Sequence, residues 1–426
     1  MKMKKLLVLL LALALILAFA ACGPAPAEEE QPAAPVDEQE PVADESGFKL
    51  GVILVGDENE GYTWAHMEGI QTACETLGVD HTDSNQVVWK YVVPEDEKCY
   101  DACIDLVDQG CTLIVSNSYG HQSYMQQAAA ETPEVTFISM TGDTAALSGL
   151  TNFKNAFTYC YQSRYVGGVV AGMKLQELID AGQVPASAID ADGNYKIGYV
   201  GAYPYAEVVS GYTGFYLGVK SIVPNVAMQV QYTNSWFDIT GEAEAENALI
   251  ANGCIITSQH ADSSGAPSAA EAALNAGTIV YHVGYNVDML AVAPTAALTT
   301  AQNNWSVYYE YAIGAALNGE EIATDWAKGY ADNAVMISTL GNSCAAGTAE
   351  KVAEVEAALA AGSLDIFDCA NFTVGGETVT TFLAIDTDGD WVGDTGEAIV
   401  DGVFEESVLR SAPYFSLRID GITELN

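Results

Sequence analysis

Two hydrophobic rhythms alternate along this chain. Residues 49–55 form a largely apolar run, the mark of a strand buried on both faces of a parallel sheet. Beyond a polar loop, Gly56-Asp57-Glu58-Asn59-Glu60-Gly61, the residues Met67, Ile70, Cys74 and Leu77 recur at helical spacing. Thr63 is placed to cap that helix and Gly78 to end it. The unit then repeats. Residues 87–93 read as a strand, 100–109 as a helix closing at Gly110, and 113–116 as a strand. A helix entered at His121 runs to about Glu131, and residues 136–139 read as the next strand. The order β-α-β-α-β predicts a doubly wound α/β layout.

The pattern restarts with a helix over residues 164–177, where Gly167, Gly168 and Gly172 allow close packing. Strands are predicted at 196–200, 226–232, 254–257 and 278–283, with helices at 208–219 and 242–251 between them. Two similar halves predict two lobes facing each other across a cleft. In open α/β sheets the carboxyl ends of the strands border the ligand crevice. The outlets of these strands therefore carry the candidate ligand contacts: Tyr62, Thr63 and Trp64; Ser118 and Tyr119; Tyr203; Trp236 and Asp238; His260 and Asp262; Asn286 and Asp288. Asn303, Asn304 and Trp305 stand at an expected passage between lobes, as hinge or as site. Trp236 offers a stacking face and Asp238 a directional acceptor, which suits a flat, polar, uncharged or cationic molecule. A core tryptophan followed by a helix N-cap fits the same residues. His260 and Asp262 either meet a ligand edge or orient each other. Of Asn286 and Asp288, one reads as a cap and the other as a contact.

The chain starts with a basic stretch, Met1-Lys2-Met3-Lys4-Lys5, and an apolar run over residues 6–18 that ends at Phe19-Ala20-Ala21-Cys22. The run is short for a spanning helix, which needs about 20 residues. It resembles a bacterial lipoprotein signal, with Cys22 as the lipidated residue; an ordinary secretory signal is the alternative. Residues 23–47, rich in Ala, Pro, Glu and Gln, read as a disordered acidic tether. With 15 basic against 57 acidic residues, the net charge is −42. That excludes nucleic acid, an anionic membrane face and a multiply phosphorylated ligand as partners. Neither G-x-G-x-x-G after the first strand nor G-x-x-x-x-G-K-[ST] occurs, so the nucleotide-phosphate cradles are missing. No G-x-S-x-G motif, metal triad or activated cysteine supports an enzyme. The cysteines other than Cys22 are scattered, as buried thiols or as pairs. Asp386, Asp388, Asp390, Asp394 and Glu397 occupy positions 1, 3, 5, 9 and 12 of an EF-hand-like calcium loop. Trp391 stands where that loop needs glycine, and a solvated acidic turn is the simpler reading.

Several stretches, in order, carry a family resemblance. They are residues 60–66 (Glu-Gly-Tyr-Thr-Trp-Ala-His), Ser118-Tyr119-Gly120, residues 164–172 and Ile197-Gly198-Tyr199-Val200. Ser235-Trp236-Phe237-Asp238, Gln259-His260-Ala261-Asp262-Ser263 and residues 284–289 complete the set. Together they resemble the basic membrane protein family of ABC-transporter substrate-binding lipoproteins, in the branch of purine nucleoside receptors and nucleobase-binding relatives. The resemblance implies a type I periplasmic-binding-protein fold, with two doubly wound parallel-sheet lobes joined by three crossovers. Its lobes would be 48–155 plus 303–325, and 156–302 plus 326–426 with an acidic C-terminal extension. It implies Tyr62 and Trp236 as the aromatic pair that sandwiches a base. Thr63 stands where nucleoside receptors commonly carry Asn, Asn286 where a carboxylate is expected, and Asn303 where a lysine is expected. The wording is nearer the nucleobase-binding members. The implied function is an extracytoplasmic, lipid-anchored receptor, without cofactor or enzymatic activity. It would close on a purine nucleobase or nucleoside and deliver it to ABC permease subunits. A sensory receptor for a small polar ligand using the same cleft is the alternative, and a nucleoside-processing enzyme a remote one.

Overall fold

A computed structural model describes residues 47–390 and 392–426. The leader, Cys22 and the tether up to residue 46 lie outside the described residues. The first lobe is built on β1 (Leu50–Ile53), α1 (Gly61–Leu77), β2 (Val87–Lys90), α2 (Glu97–Asp108) and β3 (Leu113–Ser116). It continues through α3 (Gln122–Glu131), β4 (Thr136–Met140), the short α4 (Ala145–Ser148) and β5 (Phe153–Thr158). The chain passes over through α5 (Cys160–Asp180) into β6 (Tyr195–Gly201), α6 (Ala206–Ile222), β7 (Val226–Tyr232), α7 (Ile239–Ala251) and β8 (Ile256–His260). There follow α8 (Gly265–Asn275), β9 (Tyr281–Tyr285) and β10 (Ala297–Asn303). A second passage leads to α9 (Trp305–Asn318) and β11 (Asp325–Lys328), and a third to β12 (Val335–Ile337) and α10 (Thr348–Ala360).

One sheet has the order β11-β5-β4-β3-β1-β2. The other runs β12-β10-β9-β8-β6-β7 and takes Ile422–Glu424 from the C-terminus as its last edge. Pairing is parallel apart from β10 with β12. Two doubly wound sheets crossed by the chain three times form the type I periplasmic-binding-protein fold. Phe157, Thr158 and Trp326–Lys328 belong to the first sheet, because β11 pairs with β5. The passages therefore follow Thr158 and Lys328, a few residues beyond the expected 155 and 325.

Local chemistry explains where elements begin. α1 is capped by Glu60, not Thr63: Glu60 accepts from the N–H of Tyr62 at 3.0 Å and of Thr63 at 2.8 Å. Thr63 lies fully buried in the first turn instead. The glycines of α5 are needed for packing against α6, since a Cβ on Gly168 would lie 2.2 Å from the Phe215 carbonyl oxygen. Strands β8 and β9 extend to His260 and Tyr285, so Ser258, Gln259 and Gly284 are ladder residues rather than outlet. The eight described cysteines are free thiols, all buried except half-buried Cys344. No described helix is long and apolar enough to cross a membrane.

Candidate ligand-binding site

The carboxyl ends of both sheets converge on a cavity of about 200 Å³. The first lobe lines it with Val55, Gly56, Glu60, Tyr62, Glu95, Asn117, Ser118, Tyr119 and Thr141. The second supplies Glu207, Trp236, Phe237, His260, Asp262 and Tyr285. The lobes touch here: a Cβ on Gly61 would lie 3.3 Å from the Asp262 carbonyl oxygen and 3.3 Å from a Val287 methyl. Tyr62 is held as a wall, its hydroxyl donating to the Asn117 carbonyl and its ring meeting His66 edge-on at 4.6 Å. Opposite, Trp236 packs edge-to-face against Tyr203 at 5.4 Å. Its carbonyl accepts from the Asp262 N–H at 2.8 Å, which ties the Trp236 loop to the end of β8.

Burial governs the charges. It pushes the Glu207 carboxyl up to about 7, against the pull of Arg164. It raises Asp262 well above the usual carboxylate range, with Glu60, Glu242 and Glu207 adding repulsion. Burial, then Arg164, holds His260 well below its ordinary value. His260 Nε2 lies 3.2 Å from Glu207 Oε1, an ion-pair distance. With the imidazole neutral, the contact is a hydrogen bond and not an ion pair. Its Nδ1 has no hydrogen-bond partner among the described residues. Among the described residues, no Lys or Arg lines the cavity. Arg164 sits behind it, its guanidinium 3.5 Å from the centre of the Tyr285 ring. The site therefore presents aromatic faces together with carboxyls that can hold a proton.

Residues 49–358 match the family described as ABC transporter substrate-binding protein PnrA-like, Bmp. The chain belongs to the Bmp family. This Bmp protein is 30% identical over 276 residues to a purine-binding protein of Brucella abortus, covering 65% of this chain and 70% of that one. It is 27% identical over 308 residues to a putative ABC transporter glucose-binding protein of Haloferax volcanii, covering 72% and 70%. Its fold is that of an ABC transporter solute-binding protein from Aeropyrum pernix, with a TM-score of 0.59 at 14% identity, covering 81% of this chain and 95% of that one. A solute-binding protein from Conexibacter woesei gives 0.57 at 19%, covering 74% and 97%. As a Bmp member it is an ABC transporter substrate-binding protein, which binds a small molecule and works with permease components. The family and these structural neighbours are solute-binding proteins, and the family is extracytoplasmic.

Of the candidate residues in this Bmp protein, Tyr62, Ser118, Tyr119, Trp236, His260 and Asp262 line the cavity. The others stand elsewhere. Thr63 is buried beneath it and its Oγ1 accepts from Asn117 Nδ2 at 3.1 Å. Tyr203 backs Trp236. Asp238 caps α7, accepting from the N–H groups of Thr240 at 3.1 Å and Gly241 at 2.9 Å. Asp288 accepts from the Leu290 N–H at 2.9 Å, so it too is a cap. Trp64, Asn286, Asp288 and Asn304 line a separate groove beside the second passage. Asn286 still reaches the site indirectly, donating to Asp262 Oδ1 at 2.6 Å. In the acidic turn, Asp386, Asp388 and Asp394 approach within 4.8 Å of one another. Asp390 accepts from the Val392 N–H, while Glu397 accepts from Thr381 Oγ1 and Phe382 N, outside that cluster. Strands Leu383–Ile385 and Thr395–Glu397 flank the turn, where an EF-hand has helices. Sequence reasoning missed Glu60, Glu95, Glu207 and Tyr285 as lining residues. Glu207 follows the Tyr203 outlet directly, and that position was the one signal available for it.

Proposed function

We propose that this protein is the receptor of an importer for a purine nucleobase, or for a purine nucleoside, held between its two lobes without turnover. The observation that carries the reading is the cavity itself. Aromatic side chains enter it from both lobes, Tyr62 from one and Trp236 from the other, among carboxyls and with no Lys or Arg among the described lining residues. A base presents two π-faces and an edge that mixes donors with acceptors. A carboxyl pushed up by burial, as Glu207 is to about 7 and Asp262 is in the same direction, can serve both kinds of edge atom. The cavity volume, about 200 Å³, is below the roughly 300–1,000 Å³ common for drug-sized ligands, which favours the smaller nucleobase. The Brucella relative's description as purine-binding agrees with this. The Haloferax relative's description names glucose, which makes glucose the competing ligand. Cys22 is the proposed lipid anchor, holding the receptor outside the cell membrane beside its permease.

The test is mass spectrometry of whatever small molecule the purified protein releases on unfolding. It is followed by titration calorimetry with adenine, guanine, hypoxanthine, their nucleosides, glucose and ribose. Tight binding of a purine with none of the sugars supports the reading. Tight binding of glucose alone overturns it. A turnover assay on the nucleosides, followed by chromatography, should show no product.

A further inference from the structure

Residues 359–426 lie past the span that matches the family. Most of this segment belongs to the second lobe. Phe404, Tyr414 and Phe415 are buried in that lobe's core, and Phe404 meets Phe415 at 4.7 Å. Glu406 is buried and accepts from Ser210 Oγ on α6. Further on, Ile422–Glu424 pairs in parallel with β7. Between these anchors the chain reaches back to the first lobe. The N–H and Oγ of Ser411 both donate to Asp325 Oδ1 at 2.9 Å, on the edge strand β11. Arg410 Nη1 lies 3.5 Å from Asp143 Oδ2, and both side chains are largely shielded, at 19% and 17% exposed. Asp143 follows β4 at the cleft, and its other contacts lead into the site. It accepts from the Tyr119 hydroxyl at 3.4 Å and from Gln122 Nε2 at 3.1 Å. Tyr119 lines the cavity.

We propose that residues 404–415 form an interlobe latch, in which Arg410 and Ser411 fasten the second lobe to Asp143 and Asp325 of the first and position Tyr119 through Asp143. The latch is rooted in one lobe and bonded to the other, so a hinge motion that parts the lobes must break its contacts. These contacts exist where the lobes meet around the cavity, so they favour the closed state. A group that favours the closed state raises apparent ligand affinity by enlarging the binding-competent fraction. Arg410 and Ser411 are thus positioning residues and touch no ligand. The affinity part of the inference rests on the cavity being the ligand site; the closure part does not.

The experiment uses the full chain and the variants Arg410→Gln, Ser411→Ala and Asp143→Asn. Interlobe distances are measured between labels carried by unnatural amino acids at exposed Glu134 and Glu244, without ligand and with adenine, hypoxanthine or glucose. Affinities for the same three probes come from calorimetry. In Arg410→Gln and in Ser411→Ala the distance distribution should shift towards longer separations. Affinity for the probe that binds the parent should fall roughly 3- to 30-fold, as expected for losing a shielded ion pair or a hydrogen bond to a charged group. Arg410→Gln and Asp143→Asn should be non-additive in affinity, because they break one contact. Ser411→Ala leaves the aromatic anchors in place and decides the matter if the Arg410 variant misfolds. A distance distribution unchanged from the parent in folded variants overturns the latch. If none of the three probes binds the parent, adenine and hypoxanthine are excluded as ligands, and the distance measurement still decides the latch.

Discussion

Replacing Trp236 by alanine is the sharpest perturbation of the proposed site. The indole contributes a stacking face to the cavity, and it rests on Tyr203 at 5.4 Å with an interplanar angle of 62°. Its backbone link to Asp262 survives any side-chain change, since it runs from the Trp236 carbonyl. The loss is therefore confined to the ring. Stacking of a base on an aromatic is worth about 1–3 kcal/mol. That corresponds to roughly a 5- to 150-fold weaker Kd. The lost edge-to-face contact with Tyr203 adds a stability cost of about 0.5–1.5 kcal/mol. Trp236→Phe retains a π-face and should keep most of the affinity. The assay is titration calorimetry against adenine, hypoxanthine and their nucleosides, with circular dichroism to show the fold intact. A Trp236→Ala protein that binds purines like the parent would refute the stacking argument. A loss equally large in Trp236→Phe would also refute it, because the decisive property would then be shape or the indole N–H.

Asp238→Ala should lower stability by about 1 kcal/mol, the usual value of an N-cap, while changing purine affinity less than twofold; a calorimetric loss as large as that of Trp236→Ala would show a ligand contact instead. Cys22→Ala should move the protein from the membrane fraction to the soluble exported fraction and abolish fatty-acid labelling; retention with labelling would disprove the anchor. Thermal stability should fall as pH rises from 6.5 to 8. Glu207, Glu242 and Glu406 titrate in the folded chain at about 7, raised by burial from 4.5, so the folded state holds more protons than the unfolded one up to that range. Each should lose about 0.8 kcal/mol over that interval, at 1.36 kcal/mol per unit. His66, lowered to about 3, and His121 and His260, lowered by burial, oppose this fall, because the unfolded imidazole is still half protonated at pH 6.5; each offsets at most about 0.4 kcal/mol over the interval, about half of one carboxyl's contribution. A melting temperature flat from pH 6.5 to 8, or unaltered in slope by Glu242→Gln, would contradict the assignment.

The pattern along the chain was enough to place the strands whose residues are apolar or strictly alternating. Leu113–Ser116 is wholly buried, and Val226–Tyr232 shows alternating burial. Strand outlets face the cleft in this kind of sheet, so Tyr62, Tyr119, Trp236, His260 and Asp262, which line the cavity, were legible as cleft-facing residues before any geometry. Strands β5 and β10 were not legible. β5 carries Lys154 and Asn155 in a fully buried position, and Asn155 is satisfied only by remote partners, the Ala145 N–H at 2.7 Å and the Ser139 carbonyl at 3.0 Å. β10 buries Thr299 and Thr300, which meet Ser338 from a later segment. Polar residues in a strand read as loop until the partners that satisfy them are known. The same limit applied to the carboxylates. Asp238 and Asp288 bond to N–H groups two or three residues away and serve as caps, a local event. Glu60, Glu95 and Glu207 enter the cavity because two lobes bring distant loops together. The raised pKa values of Glu60 and Glu207 come from burial, which sequence position does not encode. Local chemistry wrote the elements; only the three passages between lobes and the C-terminal return decided which side chains share a site.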